Sequence, residues 1–73
     1  MNLLDVKPGE AAVFIGFEGS DEELEKVMEM GFSVGIMVIV KENKGDEVVV
    51  EFEDGKVLHV DGDLAKKIVI NPV

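Results

Sequence analysis

Between Ser20 and Gly35 the chain reads SDEELEKVMEMGFSVG, an acidic helix signal set between strand-like runs. Ser20 is placed to accept from the free amide of Glu23, and the Glu23 side chain can reach back, which is the S-x-x-E capping box. Asp21, Glu22 and Glu23 fill the first turn, where the helix dipole favours negative charge. Leu24, Val27 and Met28 recur at i, i+3 and i+4, which predicts a buried stripe. Glu22 and Lys26 form an i,i+4 pair on the wet side. Gly31 suits the left-handed position that ends a helix, with Phe32 folding back on Val27. These signals predict one helix over about residues 21–30. A single helix in a strand-rich chain restricts the fold to a small β framework with that helix inserted.

The strand signals lie on both sides of it. Leu3 to Lys7 is a short lead-in, followed by a Pro8-Gly9 turn. Ala11 to Phe17 reads as a first strand, with Val13, Ile15 and Phe17 on one face and Ala12, Phe14 and Gly16 on the other. Gly16 inside that run signals a bulge or a close backbone approach. Ile36 to Glu42 is a second strand, Asn43 to Asp46 a turn, and Glu47 to Glu53 a third strand. In the third, Val48, Val50 and Phe52 share a face, and mostly acids occupy the other. Asp54-Gly55 is a hairpin signal into Lys56 to Val60. A plain two-residue turn would pair Val50 with His59 and put His59 on the apolar face. A bulge or longer turn shifts the register by one residue, and this is the preferred reading. Asp63 is placed to cap a short last turn, Leu64 to Lys67, before a final strand at Ile68 to Ile70. The fold expected is mainly β: a small, strongly bent barrel of about five strands, one inserted helix and a short C-terminal helical turn.

At 73 residues the chain reads as one domain, 1–73. An apolar share of 47% excludes a disordered chain. Cysteine is absent, so neither disulfides nor a thiolate metal cluster can staple the fold. There is no membrane-length apolar run and no signal-peptide pattern, so the expectation is a soluble cytoplasmic protein without direct membrane insertion. Sixteen acids oppose seven lysines, for a formal charge of −9, and no arginine is present. Such a surface is a poor partner for nucleic acid, which needs clustered cations. Basic protein faces and cations suit it better.

The residues of catalysis are largely missing. The hydroxyls other than water are those of Ser20, explained by capping, and Ser33, in the turn after the helix. Thr, Tyr, Trp and Gln are absent as well. A carboxylate acid/base pair needs burial to separate its pKa values, and these acids read as solvated. No Gly-rich phosphate loop follows a strand. No enzyme is expected. His59, the single histidine, with Asp61 and Asp63 is the one candidate metal set, suited to a borderline divalent transition metal such as Fe(II). Its H-x-D-x-D spacing is equally that of an incidental surface. Met28, Met30 and Met37 gather around the helix end, as core filling or as an adaptable apolar contact surface beside Phe32 and Val34.

The order of these parts resembles the FeoA family, small cytosolic partners of bacterial ferrous iron transport. The opening Leu3-Leu4 with Lys7-Pro8-Gly9-Glu10, the first strand Ala12 to Phe17, and Leu24 with Val27 to Phe32 carry the likeness. Val34-Gly35 leading into Ile36–Val40 and the closing Leu64 to Ile70 complete it. Val34 stands where the family commonly has Pro, and Val60-Asp61 where an Arg is common. The resemblance implies an SH3-like barrel acting as a non-enzymatic accessory to a membrane ferrous iron transporter of the FeoB type. That transporter bears a cytoplasmic G-protein domain, and docking there would recruit the barrel to the inner membrane face and modulate assembly or activity. The contact residues expected are Met30, Phe32, Val34 and Met37. The usual SH3 ligand is not implied, because proline-rich peptides dock on aromatic-lined grooves. The same fold occurs as a domain in metal-dependent repressors of the diphtheria-toxin-repressor type, but this chain has no DNA-reading helix. Two other readings stay open: an Fe(II)-binding sensor or carrier, and a generic interaction or self-associating barrel.

Overall fold

A computed structural model describes all 73 residues. Five strands make one antiparallel sheet in the order β4-β3-β2-β1-β5. They are β1 (Ala11–Phe17), β2 (Met37–Asn43), β3 (Glu47–Phe52), β4 (Val57–Asp61) and β5 (Ile68–Pro72). Helix α1 (Asp21–Glu29) joins β1 to β2, and the short α2 (Gly62–Ala65) joins β4 to β5. The sheet curls into an SH3-like barrel that stays open between β4 and β5. Two bulges bend it, one between Phe14 and Gly16 against β5 and one between Val40 and Glu42 against β3. At Gly16 the bulge is the correct alternative, since no atom lies within 4 Å of where a Cβ would stand.

Alternation places the core. Ala12 and Phe14, Val38 and Val40, Val48, Val50 and Phe52, and Ile68 and Ile70 all point inward and are buried. Phe32 closes one end, its ring 5.5 Å from that of Phe14 and 5.2 Å from that of Phe52. Leu3 and Val6 close the other end from a 3-10 turn (Leu3–Asp5) that the lead-in did not reveal. Its capping box uses Asn2 and Asp5. Asn43 fastens it by donating to the carbonyls of Leu4 at 2.8 Å and Val6 at 3.0 Å.

Three expectations are corrected. In α1 the stripe is rotated: Val27 is fully buried and Leu24 half-buried, but Met28 is 54% exposed. An ion pair of 2.8 Å between Glu23 and Lys67 holds the Glu23 side of the helix inward, so the inner line runs Glu23, Val27, Met30. The cap of α2 is Asp61, whose carboxylate accepts from the Asp63 amide at 2.9 Å, and Asp63 itself is exposed in the first turn. The second strand begins at Met37, because Ile36 is drawn into the turn before it, its amide donating to Ser33 at 3.0 Å.

The β3–β4 register settles the place of His59. Gly55 (φ +90°) donates to the Phe52 carbonyl at 2.9 Å, and the Phe52 amide donates to the Lys56 carbonyl at 2.8 Å. This is a three-residue loop with a left-handed glycine, and it adds one residue to the turn. Val50 therefore pairs with Leu58, and Val49 with His59. His59 falls on the outer face and is exposed, as the shifted register requires.

Candidate functional site

The end of α1 builds the most distinctive surface. Gly31 at φ +119° lets the chain turn back. Its amide donates to the Met28 carbonyl at 3.1 Å, and that of Phe32 to Val27 at 3.3 Å. These two bonds satisfy orphan carbonyls of the last turn in the Schellman arrangement. The Met30 carbonyl takes a third partner, the Lys56 ammonium at 3.3 Å from the β3–β4 turn. A groove of about 320 Å³ lies between these two turns. It is lined by Gly31, Ile36, Phe52, Glu53, Asp54 and Lys56.

The four residues expected to meet a partner separate here. Val34 is 77% exposed on the turn between Gly31 and Ile36. Met30 and Met37 are half-buried, Met30 resting on the core. Phe32 is 1% exposed and forms the aromatic centre with Phe14 and Phe52, so it supports the surface from beneath and presents nothing to a partner. Met28, expected in the core, joins the exposed apolar residues on this side of the sequence. The groove walls Glu53, Asp54 and Lys56 were not legible as site residues. The signal that could have found them is a long side chain just after a turn, Lys56, able to reach a glycine-terminated helix end.

His59, Asp61 and Asp63 are not assembled into a ligand set, and no three His, Asp or Glu side chains on the molecule form one. Nδ1 of His59 lies 3.2 Å from a carboxylate oxygen of Glu47 across the sheet. Asp61 turns its carboxylate to the start of α2. The one strongly perturbed carboxyl has a structural cause. Glu23 is lowered from 4.5 to about 2 by its hydrogen bond from Lys67, then by the Ser20 amide at 3.0 Å. A carboxylate held ionised by a lysine and a helix cap fastens α1 to the chain before β5; it is poorly suited to moving a proton.

A model of the FeoA domain matches residues 1–72. The chain belongs to the FeoA domain family. That membership ties this FeoA domain to ferrous iron transport. Among solved structures, one described as the iron uptake regulatory protein FeoA superposes with a TM-score of 0.88 at 18% identity, covering 100% of this chain and 96% of that one. Iron(II) transport protein A from Clostridium thermocellum gives 0.87 at 27% identity, covering 100% of this chain and 46% of that one. A manganese-dependent transcriptional repressor in complex with manganese gives 0.88 at 16% identity; this chain is covered to 99% and that one to 36%. The repressor shares the fold alone. No curated protein sequence matches the chain significantly. No helix is long and apolar enough to cross a membrane.

Proposed function

We propose that this FeoA domain is a non-enzymatic accessory module of ferrous iron uptake. It docks on the cytoplasmic, G-protein-bearing part of the ferrous iron transporter and modulates its assembly or activity. The observation that carries the reading is the family match across residues 1–72. The surface at the end of α1 agrees with it. Exposed Val34 and Met28 and half-buried Met30 and Met37 offer adaptable apolar contacts in the segment that supplies Gly31 and Ile36 to the groove. The short list of nucleophiles and the structural role of Glu23 agree with a binding module in place of a catalyst.

The test is an amide NMR titration of the labelled domain with the transporter's cytoplasmic domain, nucleotide present. Shifts confined to Met28–Met37 and the 53–56 turn are expected, and Val34→Glu weakens binding while leaving the dispersed spectrum of the free domain intact. Absence of shifts at high partner concentration refutes the docking. Saturable shifts elsewhere refute the surface.

A further inference from the structure

The two edges of the sheet are finished differently. β5 is covered by the start of the chain: Asn2 bridges to Val69, and the Ile70 amide donates to the Met1 carbonyl at 3.0 Å. β5 also ends in Pro72, which has no amide to offer. β4 has neither device. It pairs only with β3, in an unbroken register from Glu51–Val57 to Glu47–Asp61. No second strand lies beside it, and only its last residue, Asp61, engages another element, as the cap of α2.

The free groups can be identified. Phe52 and Lys56 form a hydrogen-bonded pair, and the antiparallel ladder alternates from there. Leu58 and Val60 therefore bond to β3, while the backbone groups of Val57 and His59 and the amide of Asp61 face the open side; the Asp61 carbonyl belongs to the start of α2. The side chains of these three stand exposed on the outer face. Five regular residues offer about 17 Å of template. The groove floored by Ile36 and Phe52 lies at the start of this edge, since Lys56, which lines it, immediately precedes β4.

Charge selects the occupant. From Asp46 to Asp63 the chain carries seven acids and one lysine, and the Lys56 ammonium is engaged by the Met30 carbonyl. A second copy would bring the same acids, and another −9, against them. We propose that the open edge of β4 takes up an extended, lysine- or arginine-bearing segment of a partner protein by strand addition, with an apolar side chain of that segment seated in the groove. Main-chain bonds to Val57, His59 and the Asp61 amide supply the affinity, and the acids around them the selectivity. The inference stands on the edge, the groove and the charge, and does not depend on the iron-transport reading.

The probe is a blocked peptide of roughly eight residues alternating Lys and Val, titrated into the labelled domain. Saturable shifts along residues 52–61 are expected, with slowed amide exchange at Val57, His59 and Asp61. A Lys-Pro peptide of equal charge loses every second backbone donor and has φ fixed outside the usual strand value at those positions, so it should bind clearly more weakly. His59→Pro removes one outward donor and spares the ladder to β3, so affinity should fall about three- to tenfold. Glu53→Lys, whose side chain makes no hydrogen bond or ion pair, keeps the test valid if the proline unfolds the edge; it should weaken binding about two- to tenfold. Equal binding of the two peptides, shifts spread over the acids of α1 without exchange protection, no binding at all, or peptide-free dimerisation through β4 would each overturn the proposal.

Discussion

Gly62 is the first residue of α2 and is fully covered by the β2–β3 turn. Helix propensity alone predicts that Gly62→Ala stabilises the protein, by about 0.5–1 kcal/mol. The packing predicts the opposite sign. A Cβ added there would collide with the Gly45 carbonyl oxygen and stand 2.9 Å from the Asp46 Cα. Both are backbone atoms, so neither can rotate aside, and the turn or the helix must shift. Such overpacking costs about 1–3 kcal/mol. The shift also strains the bond from the Gly62 amide to the Asp46 carbonyl, now 2.8 Å, for up to about 1 kcal/mol more. After subtracting the helical gain, a net loss of up to about 3.5 kcal/mol remains. The chain has no Trp or Tyr, so urea unfolding is followed by far-ultraviolet circular dichroism. With a slope near 1 kcal/mol per molar urea, the midpoint should fall, by up to about 3.5 M. Gly16→Ala is the control: its Cβ would meet nothing within 4 Å, and stability should hold or rise. A Gly62→Ala midpoint equal to or above that of the parent would refute the packing argument.

Two further outcomes follow from the polar fastenings. Glu23 titrates near 2 in the fold against 4.5 unfolded, so its contribution is present in full above about 4.5 and lost as pH falls toward 2. The stability difference between the parent and Glu23→Gln should therefore be largest near neutrality and shrink across that acid window, as read by urea titrations at several pH values; a difference independent of pH would contradict the assigned cause. Asn43→Ala leaves the Leu4 and Val6 carbonyls without their side-chain donor and should cost about 1–3 kcal/mol. Amide exchange should accelerate first in residues 2–6, and uniform acceleration would deny that Asn43 is a local clip.

Local chemistry was written openly in the sequence. The Ser20 capping box, the Gly31 stop, the Ala11–Phe17 strand and the inward Val48-Val50-Phe52 row all appear where expected. What stayed hidden depends on partners distant in the chain. Met28 lost its inner place because Lys67, 44 residues beyond Glu23, turns the helix toward the Glu23 line. The 3-10 turn at Leu3–Asp5 is held by Asn43 across 39 residues. The exchange of Asp63 for Asp61 as a cap is a two-residue choice made by where β4 ends, and strand ends are decided by pairing. The site was legible in part for the same reason: Val34 and the methionines lie in one continuous stretch, whereas the groove is closed by a hairpin whose Glu53 lies 16 residues beyond Met37. Phe32 was misplaced as a contact because its burial is decided by Phe14 and Phe52, not by its neighbours.

The pairing of β1 with β5 also has a consequence for synthesis. Phe14 meets Ile70 and Phe17 meets Ile68, so one side of the first strand stays bare until the last strand leaves the ribosome. During that interval β1 carries an unpaired row of backbone groups and an apolar inner face with no cover. The β2–β3–β4 hairpins can form before β5 emerges, but the barrel can only be completed once it has. The nascent chain is then at its most adhesive just before β5 emerges, and its surplus of negative charge works against association with neighbouring copies in that interval.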